Sequence, residues 1–232
     1  MKIEKIMTRG RLAVILVIAI LLIDQFIKIW VKTSMSLSES IHVTDWFYIN
    51  FIENNGMAYG MQIGSKLALS LFRVVAICVL SWYIWVQVHK PGTRWGYVVF
   101  LSMVLAGAAG NLIDCMFYGM CFSSSSYYEV SQFVGFGNGY APFLMGKVVD
   151  MFYFPLIETT YPDWFPFYGG EKFVFFSPVF NFADSSITVG VAALLLFYRT
   201  EISKLSFKRT EEDGSNGVKE HGSNEVNLDA EG

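Results

Sequence analysis

The sequence predicts a mainly α-helical membrane protein, with four transmembrane helices and a small strand-containing, aromatic-rich extracytoplasmic platform. Three observations carry that expectation. Hydrophobic residues make up 53% of the chain and charged residues only 16%, against about 25% charged in a typical soluble domain. Four apolar runs approach the ~20 residues that cross a hydrocarbon layer of ~30 Å. Basic residues cluster at the N-terminus, in one short connection and after the last run, the asymmetry that orients membrane spans.

The opening Met1 to Arg11 carries Lys2, Lys5, Arg9 and Arg11 ahead of an apolar run. It has the outline of a secretory signal peptide. No small-residue cleavage site follows, however, and the apolar pattern continues through Asp24, Gln25 and Lys28 to about Val31. A retained first span over 12–31 is therefore expected. A second span fits 67–88, with Lys66 at its entrance and Arg73 placed where a long side chain would snorkel toward the headgroups. After a basic connection containing His89, Lys90 and Arg94, a third span fits 96–116. The fourth fits 180–198 and is followed by Arg199, Lys204, Lys208 and Arg209. Positive charge then puts the N-terminus, the connection and the tail on the cytoplasmic side, which requires an even number of spans.

Two segments, 33–66 and 117–179, remain outside. Both hold aromatic runs, Trp46-Phe47-Tyr48 and Trp164-Phe165-Pro166-Phe167-Tyr168, which suit rings lying at a membrane interface. Alternation of period two at Ile49 to Ile52 and at Val148 to Phe154 predicts strands there. Residues 1–200 read as one membrane domain and 201–232 as a cytoplasmic tail, whose polar, acidic composition is that of a disordered segment.

Composition also excludes. The net charge of −3 implies no nucleic-acid partner. Cys78, Cys115 and Cys121 have no metal-ligand spacing, and an odd count argues against a complete disulfide framework, leaving only a Cys115 to Cys121 bridge to consider. His42, His89 and His221 are scattered, with no His-Glu-x-x-His run, so neither metal nor cofactor is expected. No internal repeat supports an inverted-repeat transporter.

Within this topology the costly polar residues gather in one leaflet. Asp24 and Lys28 are spaced i,i+4, whereas Asn111 with Asp114 and Asn181 with Asp184 are spaced i,i+3. Each pair therefore shares a helical face. Ala106 to Gly110 supplies small residues that let helices approach closely, so Gly107 and Gly110 read as packing positions. Asp24 with Lys28 reads first as an intramembrane ion pair that neutralises two expensive charges. Asp150 and Asp184 have no cation one helical turn away. Each would either cap or bond a neighbour, or the two would pair as acids with divided protonation, able to activate water against an amide.

Five stretches in order along the chain resemble the bacterial lipoprotein signal peptidases, also called signal peptidase II. They are Asp24-Gln25-Phe26-Ile27-Lys28, Asn54-Asn55-Gly56-Met57-Ala58-Tyr59, Gly107 to Asp114, Val148-Val149-Asp150, and Phe180-Asn181-Phe182-Ala183-Asp184. The resemblance implies that Asp150 and Asp184 are the catalytic aspartates of a metal-independent intramembrane endopeptidase. It implies that Asn54, Gly56, Asn111, Asp114, Asn181 and Ala183 surround the pair or hold the substrate, with Asp24 and Lys28 in support. The implied substrate is a diacylglyceryl-modified prolipoprotein, cut on the N-terminal side of the lipidated cysteine. The implied setting is the bacterial inner membrane, with lipids around a monomer, both termini cytoplasmic and the site toward the outer leaflet.

Two departures from the family pattern stand out. Cys115 follows Asp114 where the family usually has arginine, and Lys147 and Lys172 are candidates to replace that cation. Segments 117–147 and 151–179 are longer than usual, as a lid or docking surface would be. Two rival functions remain at this stage. A small proton-coupled transporter predicts carboxylates spread across both leaflets, and a non-catalytic assembly factor leaves the two aspartates unexplained.

Overall fold

The computed structural model describes residues 8–55 and 65–203. The expectations placed on Gly56, on the N-terminal Lys2 and Lys5 and on the tail beyond 203 lie outside them. Helix α1 (Arg9–Ser34) starts at Thr8, whose side chain accepts from Arg11 N, and α2 (Lys66–His89) starts at Ser65, which accepts from Ala68 N. These are ordinary hydroxyl N-caps. Helix α3 (Trp95–Ile113) continues through a π-helical turn (Asp114–Tyr118) into the short α4 (Gly119–Cys121). The apolar stretch Trp95–Cys121 is therefore longer than the expected third span. Among the described residues three helices are long and apolar enough to cross a membrane, and α5 (Phe182–Phe197) is a shorter apolar helix of 16 residues.

The fourth apolar run begins later than its composition suggests because Val179–Phe180 is a strand rather than helix. That strand, β6, completes a sheet of order β1-β2-β3-β6, built with β1 (Ser40–Thr44), β2 (Phe47–Asn54) and β3 (Val148–Tyr153). All its pairings are antiparallel, and Phe152 faces Phe180 at the last one. The expected strands around Ile49 to Ile52 and Val148 to Phe154 are present. A separate hairpin of β4 (Ile157–Thr160) and β5 (Lys172–Phe175) occupies the second long segment. Trp46, Phe47 and Phe180 each stack against Phe154 beside the sheet. Beyond Val191 the chain forms a second compact unit, in which α5 ends with Tyr198 N bonded to Leu194 O.

Helix α1 is patterned inside out, as a lipid solvent requires. Val14, Ile15, Ile18, Leu22 and Phe26 are exposed, whereas Asp24, Lys28 and Lys32 are fully buried. The inward residues Ile20, Asp24, Lys28 and Lys32 recur every four positions and form one row along the face packed on α3. The outer end of that row meets an apolar cluster of Val31, Met35, Phe51, Tyr118, Phe122, Val149 and Met151. This cluster joins α1 and the end of the third span to the core face of the sheet.

Arg73 corrects one expectation. Instead of snorkelling, it turns inward, and Nη1 donates to Cys115 Sγ at 3.2 Å. No bridge joins Cys115 to Cys121, because both thiols are free.

Candidate active site

Asn181 caps α5 and fixes Asp184 at the same time. Asn181 Oδ1 accepts Asp184 N at 2.9 Å, while Asp184 Oδ2 accepts Asn181 N at 3.3 Å. This reciprocal box satisfies two donors of the helix start and folds the carboxylate back over it. The outer oxygen, Oδ1, accepts Asn111 Nδ2 of α3 at 2.7 Å. Capping alone does not account for that third bond, which ties Asp184 to a second helix.

Asp150 comes from the site face of β3 and is 3% exposed. Its Oδ1 accepts Asn181 Nδ2 at 2.7 Å and its Oδ2 accepts Asn54 Nδ2 of β2 at 3.2 Å. Asn181 Nδ2 also reaches Asn111 Oδ1 at 3.1 Å. Two asparagines thus link the carboxylates, Asp150 through Asn181 and Asp184 through Asn111. Burial first, then the charge of Asp184, pushes the Asp150 carboxyl up to about 7, against the pull of hydrogen bonds from Asn181 and Asn54. Two nearby acids sharing a partly dry site divide their protonation in this way.

Behind the asparagines lies a buried ionic hub. Lys28 Nζ contacts Asp24 Oδ2 at 3.0 Å, Asp114 Oδ2 at 2.8 Å and Asn111 Oδ1 at 2.9 Å, using all three ammonium donors. The remaining acceptor capacity is also used. Asp24 Oδ1 accepts Ala183 N at 2.9 Å, Asp114 Oδ2 accepts Val149 N at 3.3 Å, and Asp114 Oδ1 accepts Gln25 Nε2 at 2.9 Å. Tyr118 Oη then donates to Gln25 Oε1 at 3.1 Å. The hub binds α1, α3, β3 and the start of α5 into one unit, which fits the structural reading of Asp24 and Lys28. A network this dry holds charge only because every member is bonded.

Close packing makes these bonds reachable. A Cβ on Gly107 would lie 2.3 Å from Ala183 O, and one on Gly110 would lie 2.7 Å from Asp24 Oδ2. Both glycines are packing positions, as their sequence context implies.

Of the residues expected at the site, Asp24, Lys28, Asn54, Asn111, Asp114, Asp150, Asn181, Ala183 and Asp184 converge here, and Gly56 lies outside the described residues. Sequence reasoning gave no role to Gln25 or Tyr118. Gln25 follows Asp24 directly, but nothing local announces Tyr118, 93 residues away. The cation beside Cys115 is Arg73 of α2. Lys147 is instead paired with Glu53, and Lys172 is exposed on β5.

The fold and site define an integral membrane protein in which a pair of acids, one buried and one half-buried, is held between three helices and the sheet. Two solved bacterial membrane enzymes share the fold, with TM-scores of 0.52 and 0.53 at 22% and 20% identity. The matches cover 79% of this chain and 90% of the first enzyme, and 94% of both chains for the second. The family model for signal peptidase (SPase) II matches residues 16–199. The chain belongs to that family and is a peptidase. A lipoprotein signal peptidase of Porphyromonas gingivalis is 48% identical over 208 residues, covering 89% of this chain and 92% of the relative. Another, from Amoebophilus asiaticus, is 34% identical over 192 residues, covering 78% and 75%.

Proposed function

We propose that the protein removes signal peptides from diacylglyceryl-modified prolipoproteins, cleaving on the N-terminal side of the lipidated cysteine with Asp150 and Asp184 as its acid pair. The observation that carries the reading is the asparagine bridge, which holds both carboxylates at the junction of the sheet with the start of α5. Asp150, pushed up to about 7 by burial and by its partner's charge, keeps the shared proton. Asp184 then takes a proton from water as that water attacks the scissile carbonyl. Asp150 donates to the developing oxyanion, and the pair finally delivers a proton to the leaving amine. Asn54, Asn111 and Asn181 orient the two acids. The Lys28 hub supports them, and Arg73 brings a cation to Cys115, the residue that takes the place of the third motif's usual arginine.

The membrane setting follows the same reading. The three long apolar helices and the shorter α5 serve as four spans, with both termini cytoplasmic in the bacterial inner membrane and the site toward the outer leaflet. A scissile bond next to a lipidated cysteine lies at that depth, where acyl chains meet headgroups.

The test is cleavage of one prolipoprotein in its diacylated and unlipidated forms by purified wild type, Asp150→Asn and Asp184→Asn. Wild type is expected to cut the diacylated form alone, and both variants are expected to be inactive while still inserted and folded. Near-normal cleavage by either variant, or equal rates on both substrates, overturns the reading.

A further inference from the structure

A second buried ionic cluster lies on the opposite face of the two strands that carry Asn54 and Asp150. Side chains alternate along a strand. Asn54 and Asp150 meet on the site face, whereas Phe51, Val149 and Met151 enter the apolar cluster. Glu53 shares the face of Phe51, and its side chain is 2% exposed. Its Oε1 accepts Lys32 Nζ at 2.5 Å and Ser125 Oγ at 2.8 Å, and its Oε2 accepts Lys147 Nζ at 3.0 Å. Lys32 also lies over the rings of Phe122 and Tyr140, and Lys147 N donates to Tyr140 Oη at 2.6 Å. Burial alone pushes the Glu53 carboxyl up, but the charge and hydrogen bonds of Lys32 and Lys147 outweigh it and hold the group below the usual carboxylate range.

A buried ion cluster is weak grounds for stability, because desolvation offsets most of the Coulomb gain; its best-attested use is fixing register. Register is what this part of the sheet needs. In the β2–β3 ladder Ile52 faces Asp150, Glu53 faces Val149 and Asn54 faces Val148, but the register shifts between Ile49 and Ile52. The irregularity separates these last three pairs from the rest of the ladder. A slip of one residue there would turn Asp150 from the site face to the apolar face. Glu53 opposes a slip from two sides. Lys32 anchors β2 to α1, and Lys147, the residue before β3, anchors the start of the facing strand to the same carboxylate.

We propose that Glu53, clamped by Lys32 and Lys147, is a register pin: a positioning residue that keeps Asn54 against Asp150 and the Asp150 carboxylate on the site face. The inference rests on the reading of Asp150 as one of the acid pair. Glu53 itself touches no reacting atom and acts through Asn54 and Asp150.

The experiment uses the full-length protein in detergent with a diacylglyceryl prolipoprotein, assayed well below the melting temperature of each variant. Glu53→Gln keeps the volume and removes the charge. It is expected to lower kcat about tenfold to a hundredfold, the scale of an ångström of misplacement, with KM changed less than about twofold. Lys147→Arg preserves the pair and is expected to keep wild-type kcat, whereas Lys147→Met falls like Glu53→Gln. In a double-mutant cycle with Asn54→Ala the losses overlap, because one substitution has already disrupted what the other acts through. Losses that multiply, or a lowered melting temperature with unchanged kcat, make Glu53 a brace only and overturn the proposal. If Glu53→Gln fails to fold, Lys147→Met carries the same test, since that side chain is already 36% exposed. Asp150→Asn separates the two readings. Activity in that variant removes the acid pair, whereas an inactive Asp150→Asn beside a fully active Glu53→Gln removes the pin alone.

Discussion

Asp150→Asn has a consequence for stability that is separable from catalysis. In the native protein burial and the Asp184 charge push the Asp150 carboxyl up to about 7, from an ordinary value of 3.8. The folded state therefore binds this proton more tightly than the unfolded chain does. The resulting contribution is complete below the unfolded value and is lost as pH rises through about 7. At about 1.36 kcal/mol for each factor of ten in the acid constant, the ceiling is about 4 kcal/mol. Asparagine mimics the neutral acid in shape and cannot ionise. The variant should therefore match wild type near pH 3, below the unfolded value, and become the more stable protein by pH 8. For a chain of this size each kcal/mol moves the midpoint by about 2–4 °C, so the gap should open to roughly 10 °C. Thermal unfolding followed by tryptophan fluorescence between those pH values measures it. Groups that do not interact with Asp150 contribute equally to both proteins and cancel in the difference. Midpoints that stay parallel across the range would refute the argument that Asp150 holds its proton because of burial and its partner.

Two further substitutions test the frame around the acids. Gly107→Ala puts a methyl group 2.3 Å from Ala183 O and 2.6 Å from Ile187 Cγ1. It should cost about 1–3 kcal/mol by overpacking and lower turnover by pushing the start of α5 off α3; melting temperature and kcat read both effects. Asp24→Ala removes an acceptor from Lys28 and from Ala183 N, and leaving that buried cation undercompensated should cost about 3–5 kcal/mol. Membrane yield and midpoint should fall together with activity, and a fully stable Asp24→Ala enzyme lacking only its chemistry would contradict the supporting role of the hub.

What could be read from the sequence was what repeats locally or is expensive to bury. Three spans appear as long apolar runs, and the strands around Asn54 and Asp150 show in their alternation. The i,i+3 and i,i+4 spacing of Asp24, Lys28, Asn111, Asp114, Asn181 and Asp184 puts each pair on one face by helical periodicity alone. Spacing did not join Asp150 to Asp184; only the resemblance did, because the two lie on different kinds of element and meet through Asn181. Strand β6 was hidden because two residues have no period, and it shortens the fourth apolar run from its start. Glu53, Gln25 and Tyr118 were missed, and Lys147 was assigned to Cys115 rather than to Glu53, because their partners are distant in sequence, 94 residues apart for Glu53 and Lys147. Arg73 was read by depth alone, yet a guanidinium within reach of Cys115 has a better-defined neighbour than the headgroups.

The inward row of α1 has a consequence for biogenesis. This helix is made before α3 or the sheet exists to accept Asp24, Lys28 and Lys32. On insertion scales a charged residue near the helix centre, as Asp24 is, opposes membrane entry by about 2.5–3.5 kcal/mol, whereas Lys28 and Lys32 lie progressively closer to the end of α1. The exposed Val14, Ile15, Ile18, Leu22 and Phe26 supply the opposing drive. As a lone segment α1 is apolar enough to span, and its charged row is fully compensated only when the third apolar helix delivers Asn111 and Asp114 to Lys28. The rotation of α1 is thus fixed only once α3 is made, so that chains stopped short of α3 hold this helix with Lys28 lacking two of its three partners.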